Sequence, residues 1–271
     1  MQTILAATKV TLSLAFLLYA SWSDYKTREV SNRVWAFYAP LALFLSLVDL
    51  LLYKSSDWLF FVLSIGFTII LALCLFYSGG FGGADSKALM CIALALPFFP
   101  ETLFTPVFAS GISPLSQNLF PLTIFSNAVL FAAASGIYML LRNLIWRVAT
   151  GVKIFGGTLG TESIGKKILV LITGYKVSIT KLKAKWHIYP MEDIEIENGE
   201  NLLKRKLVIV PRDEHRDEIV ERLSKAVDAG KIDAYVWVTP GLPMLIFITL
   251  GFIVALLFGD IVWALVSFIL G

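Results

Sequence analysis

Asp57-Trp58-Leu59-Phe60-Phe61-Val62-Leu63-Ser64-Ile65-Gly66-Phe67-Thr68-Ile69-Ile70-Leu71-Ala72-Leu73-Cys74-Leu75-Phe76-Tyr77 runs straight into Ser78-Gly79-Gly80-Phe81-Gly82-Gly83-Ala84-Asp85-Ser86-Lys87. No charge interrupts the stretch from Trp58 to Tyr77. About 20 such residues in a helix cross the hydrocarbon of a bilayer. The glycines that follow permit a tight turn. Asp85 then opens a second apolar stretch, placing a carboxylate where a membrane helix meets water. An ionisable group there is expensive, and so marks a functional candidate.

Outward from this stretch the pattern repeats. Apolar residues make up 57% of the 271 and charged residues 16%, where a soluble globule carries about 25% charged. Six spans are predicted, at about 3–22, 33–53, 57–77, 84–99, 120–142 and 242–260. The expected fold is an all-α membrane bundle of six transmembrane helices, with a small cytoplasmic α/β domain inserted between helices 5 and 6. Residues 1–145 form the five-helix part of the core, 146–240 the insert, and 241–271 the sixth helix and tail. The amino terminus reads as a retained helix, because its positive charges follow the apolar stretch where a signal peptide carries them before it.

Charge sets the orientation. Lys26, Arg28 and Arg33 follow the first span, Lys87 borders the fourth, and most remaining Lys and Arg lie between spans five and six. The loop 100–119 has neither Lys nor Arg. By the positive-inside rule the charged side is cytoplasmic and both termini face out. Asp24 ends span one and Asp85 begins span four, so both lie at the cytoplasmic edge, at one depth. Asp49, Asp57 and Asp260 belong to the other side.

Two carboxylates that meet cannot both ionise cheaply; one proton is shared, giving an acid and a base together. Lys26, Arg28 and Lys87 lie close enough in sequence to hold the charge of one of them, or else serve as positive-inside anchors.

Within the insert, Ile168–Ile172, Tyr175–Ile179, Lys206–Val210 and Ala234–Val238 read as strands, and 211–228 as a helix with Ile219, Val220, Leu223 and Val227 on one face. The acidic residues Glu192, Asp193, Glu195 and Glu197 are candidates for meeting a cationic peptide, or form a solvated loop. Gly160-Thr161-Glu162-Ser163-Ile164-Gly165-Lys166-Lys167 nearly matches a phosphate-binding loop, but Lys167 stands where Ser or Thr would hold magnesium, and a strand-like run follows. His187 and His215 form no zinc-protease motif, and no serine-hydrolase elbow is present. Cys74 and Cys91 have no metal-ligand spacing. The mixed charge of the insert argues against nucleic acid.

Gly82-Gly83-Ala84-Asp85 resembles the GxGD-type motif of membrane aspartic proteases, with Ala84 in place of the third-position glycine. Asp85-Ser86-Lys87 and the spacing Asp24…Arg28…Asn32 resemble the type IV prepilin peptidases, and most of all their archaeal branch, the preflagellin peptidases. Ser31-Asn32 stands where bacterial members carry Pro-Asn, and their cysteine-rich zinc insert is absent from the sequence. Tyr189-Pro190-Met191-Glu192-Asp193-Ile194 is similar to a feature of the archaeal insert. The resemblance implies a membrane aspartic endopeptidase that removes the short cationic leader of preflagellin- or prepilin-like substrates at the cytoplasmic membrane edge. Asp24 and Asp85 are then catalytic; Gly82, Gly83, Ala84, Lys87, Lys26, Arg28 and Asn32 bind substrate or shape the site. No metal or organic cofactor is implied. The partners are the substrate protein and the lipid bilayer. A proton- or ion-coupled transporter using the two aspartates as a relay, a protease cutting within the membrane, and an assembly scaffold are the alternatives.

Overall fold

The computed structural model describes residues 1–108, 112–196, 203–208, 216–240 and 243–270. The chain forms two compact units, one of 1–132 with 243–271 and one of 133–242.

The first unit is helical: α1 (Gln2–Thr27), α2 (Asn32–Tyr53), α3 (Trp58–Tyr77), α4 (Gly83–Ala95), the short α5 (Pro114–Asn118), the start of α6 (Phe120–Thr150), α10 (Met244–Leu257) and α11 (Ile261–Leu270). α1, α2, α6 and the stretch Ser55–Tyr77 are long and apolar enough to cross a membrane; α10 and α11, bent by 62° at their break, make a fifth span if taken as one. These are the helices of a multi-pass membrane protein.

Two predicted spans differ from the helices found. The fourth, 84–99, is a helix of only 13 residues, about 20 Å long. The sixth, 242–260, breaks near Asp260, where the aspartate accepts from Trp263 N–H at 3.0 Å and starts α11. α4 is nonetheless the hub of the unit. It packs on α1, α2, α3 and α10, and Ala88, Leu89, Ile92, Ala93 and Ala95 are fully buried. Its alanines let the neighbouring helices approach closely.

Leaving a helix inside an apolar bundle frees carbonyls that hydrocarbon cannot satisfy. Here serines of the neighbouring helices satisfy them. Ser46 Oγ donates to Ala95 O at 2.7 Å, and Ser64 Oγ donates to Pro97 O at 2.9 Å. Ser21 of α1 similarly donates to Leu245 O of α10 at 3.0 Å. Gly251 lets α10 close on α6: a Cβ there would stand 2.5 Å from Ile124 O.

The second unit begins with the last part of α6, followed by α7 (Ile164–Thr173), β1 (Tyr175–Ser178), α8 (Ile179–Ala184), β2 (Tyr189–Pro190), β3 (Glu192–Ile196), β4 (Leu203–Leu207), α9 (Arg216–Asp228) and β5 (Tyr235–Thr239). β5 is central, antiparallel to β1 and to β2, and β3 pairs with β4. Alternation along β5 divides two cores: Val236 and Val238 join Leu182 and Leu223 beneath α8 and α9, while Trp237 points the other way, to Leu159, Val170 and Leu207.

Ile168–Ile172 is helix, not the strand its composition suggested. Ser163 caps α7, its Oγ accepting from Lys166 N–H, and Glu162 pairs with Lys166 at 3.0 Å across the first turn. A short apolar run of this kind has no periodicity that separates strand from helix. The phosphate-loop-like stretch is therefore followed by a helix after all. Its lysines are used locally: Lys166 on Glu162, and Lys167 Nζ on Gly160 O at 2.6 Å. Tyr175–Ser178 and Tyr235–Thr239 are strands, and α9 buries Ile219, Val220 and Leu223. Ile209, Val210, residues 211–215 including His215, and Glu197 lie outside the described residues.

Candidate active site

α1 continues past the predicted end of its span, so Asp24 sits within its last turn. The helix stops at Arg28, the one described non-glycine residue with positive φ, at 58°; its N–H bonds Asp24 O at 2.9 Å. Ser23 and Thr27 hydroxyls both donate to Glu29 O, at 2.8 and 3.0 Å, so the turn out of α1 is pinned. Ser31 then caps α2, accepting from Arg33 N–H, and Asn32 is the first residue of that helix. Asp24 is half-buried, and Arg28 is the charge that acts on it most. Lys26 turns elsewhere, 5.0 Å over the Trp22 ring.

The glycine turn ends with Gly82 in extended geometry, before the first turn of α4. Asp85 is the third residue of α4 and reaches back, its Oδ2 accepting from Gly82 N–H at 3.0 Å. This is the carboxylate half of a capping box. The backbone at Leu245, the start of α10, lies close to the same carboxylate. A Cβ on Gly82 would crowd this carboxylate, standing 3.1 Å from Asp85 Oδ2. Gly83 lies against Phe76; a Cβ there would stand 3.6 Å from the ring, in ordinary contact. Ala84 packs on the apolar core.

Asp24 and Asp85 share one end of the bundle, near enough for the Asp24 charge to act on Asp85. α1 and α4 pack directly on one another, which brings residues 61 positions apart in the sequence to one place. Lys87 Nζ donates to Asn32 Oδ1 at 2.7 Å. Asp49 is remote from this group: it is buried with Lys9, 2.6 Å away, at the other end of α1. Asp260 is buried too, accepting from Ser113 Oγ at 3.1 Å.

Sequence reasoning missed three features of this region. The approach of Leu245 to Asp85 and the Lys87–Asn32 bond join distant segments and leave no local signal. The third is an open apolar groove of about 410 Å3 on α1 and α2, lined by Phe16, Tyr19, Arg33, Val34 and Phe37. The acidic residues of the insert fit the expected peptide contact poorly. Glu192 is fully buried and held by Arg205 at 2.9 Å, and Asp193 is paired with Arg222 at 2.9 Å. Burial pushes the Glu192 carboxyl up despite Arg205, the cost of removing an acid from water. Among the described residues, no group of three or more His, Cys, Asp or Glu could hold a metal ion.

Residues 11–137, which contain both aspartates, match the Type IV leader peptidase family. Residues 166–261 match the family described as Archaeal Peptidase A24 C-terminus Type II. The chain belongs to the type IV leader peptidase family. It is thus an enzyme of the A24 aspartic peptidase class. The preflagellin peptidase of Methanococcus voltae is 29% identical over 92% of this chain and 94% of its own. That of Methanocaldococcus jannaschii is 27% identical over 90% and 91%, and that of Methanococcus maripaludis 26% over 90% and 92%. Type IV leader peptidase homology thus spans the helical unit and the α/β unit alike.

Proposed function

We propose that this leader peptidase removes the short cationic leader from preflagellin- or prepilin-like proteins, with Asp24 and Asp85 as the catalytic pair at the cytoplasmic membrane edge. The observation that carries this is the juxtaposition of the two carboxylates, one ending α1 and one opening α4, inside the segment that matches the leader peptidase family. The full-length similarity to preflagellin peptidases supports the substrate class.

One carboxylate, deprotonated, takes a proton from water as it attacks the scissile carbonyl; the other, protonated, donates to the carbonyl oxygen. The proton then passes to the leaving amine. The Gly82 N–H holds the Asp85 carboxylate in one orientation, and the bare Gly82-Gly83 turn leaves room for an extended peptide beside it. Arg28 and the Lys87–Asn32 pair shape the rim. The apolar groove on α1 and α2 seats the apolar helix that follows the scissile bond.

Six crossings complete this reading. α4 and the serine-satisfied stretch after it form the fourth, and α10 with α11 the sixth. Residues 1–145 and 241–271 make the membrane core and 146–240 the cytoplasmic insert. Both termini face out.

The test is cleavage of a model preflagellin in membranes by wild type, Asp24→Asn and Asp85→Asn at matched expression. Each variant loses activity by about 10²–10⁴-fold, the contribution of a positioned acid or base. Cleavage retained by either variant removes that residue from the pair and revives the ion-relay reading.

A further inference from the structure

α7 carries an outward arc with no polar side chain. Ile164, Ile168 and Leu169 are 75%, 52% and 39% exposed, while Val170 points into the core of the α/β unit. At about 100° per residue, Ile164, Ile168, Ile172, Gly165 and Leu169 span about 140° of the helix surface. Lys166 and Lys167 lie about 60° beyond its two edges, where they bond Glu162 and Gly160 O. For a helix on a water-facing domain, this apolar arc is in the wrong place. For a helix lying in a membrane surface it is the required arrangement: apolar residues below, and cations at the headgroup level.

The position of α7 supports the same conclusion. Its end packs on the last part of α6. A Cβ on Gly136 would meet Ile172 at 3.7 Å, and Asn143 Nδ2 donates to Leu171 O at 2.9 Å and to Gly174 O at 2.7 Å. α6 is long and apolar enough to cross a membrane. Its 31 residues exceed the roughly 20 that hydrocarbon takes up. The surplus begins near Arg142 and Arg147. α7 thus meets α6 where the span gives way to cationic residues, at the depth of a membrane surface.

We propose that α7 is an in-plane membrane anchor, holding the α/β unit to the bilayer through Ile164, Ile168 and Leu169. The occupant of the apolar arc is the bilayer, continuous with the lipid around α6. This does not depend on the catalytic assignment of the aspartates.

The test uses the full chain with Cys74 and Cys91 replaced by Ala. One nitroxide is attached at Ile168→Cys, or in a second variant at Leu169→Cys, and the protein is reconstituted in phosphatidylcholine–phosphatidylglycerol vesicles. A label at Glu221→Cys on the exposed face of α9 is the aqueous reference. Labels at 168 and 169 are expected to collide several-fold more with oxygen than with a water-soluble nickel chelate, at a depth of about 5–10 Å; the label at 221 shows the reverse. Nickel accessibility at 168 and 169 equal to that at 221 overturns the proposal. So does shielding from both reagents that persists in detergent and grows with protein concentration, which would assign the arc to a second copy of the chain.

Discussion

Lys87 Nζ donates to Asn32 Oδ1 at 2.7 Å, joining the second turn of α4 to the first residue of α2 across 55 positions of sequence. Each residue lies a few positions from one aspartate motif, so the bond ties the loop after Asp24 to the helix that carries Asp85. Hydrogen bonds to charged groups contribute about 1.5–3 kcal/mol where water is excluded, and less here, where Lys87 is exposed. Lys87→Met and Asn32→Ala should each lower kcat/KM for leader cleavage by up to about ten-fold. The double variant should be no worse than either single one. Additive losses in that cycle would show that the two residues act separately.

Gly82 and Gly79 separate two uses of glycine. Gly82 has φ −71° and ψ 162°, which alanine adopts freely, yet a Cβ there crowds Asp85 Oδ2 at 3.1 Å. Gly79 has φ +77° with open space around it. Gly82→Ala should therefore cut cleavage about ten-fold with an unchanged melting temperature, since about 1.4 kcal/mol of misplacement suffices. Gly79→Ala should cost about 1 kcal/mol of stability and keep cleavage. Parallel activity and tryptophan-fluorescence melts in detergent decide between them.

The Lys9–Asp49 pair is buried on both sides, with side chains 7% and 12% exposed. Removing one partner leaves a bare charge in an apolar bundle, which costs about 3–5 kcal/mol. Lys9→Met should lower the melting point sharply, and Lys9→Met with Asp49→Leu should recover most of the loss. A double variant as unstable as the single one would show that the pair contributes more than charge compensation.

Glu162 holds the entry to α7. Its Oε2 takes Lys166 Nζ at 3.0 Å and its Oε1 takes Leu207 N–H at 3.0 Å. The Lys166 bond chiefly, with the Leu207 N–H, lowers its carboxyl below the ordinary range. A lowered acid stabilises the fold above the unfolded value, near about pH 4.3, and loses that contribution as pH falls through the folded one. Glu162→Gln should thus destabilise the α/β unit at about pH 7. The difference from wild type should shrink on acidification below about pH 4. Melts at both pH values measure it; a gap unchanged in acid would contradict the assignment.

Much of the membrane unit was legible because hydrocarbon imposes length and apolarity on a helix. α1, α2, α3 and α6 follow from that alone. α4 was legible as a segment but not as a short helix, since what satisfies the carbonyls of Ala95 and Pro97 at its end is a pair of serines from other helices. The aspartates stood out as charges at helix ends, and the glycines as turn formers. The approach of Leu245 to Asp85 was invisible, because the two lie 160 residues apart in sequence. In the α/β unit, the apolar run of α7 misled because tertiary packing gives Val170 to the core and leaves Ile168 outside.

The Lys9–Asp49 pair also bears on how the protein is made. Lysine within α1 and aspartate within α2 would each cost about 2.5–3.5 kcal/mol to pass from the translocon into lipid singly. Joined, they enter as a neutral unit. The short turn Arg28–Ser31 makes α1 and α2 a hairpin, and this hairpin is the natural package for insertion. Biogenesis of the first two helices is then concerted: α1 waits for α2 before either leaves the channel.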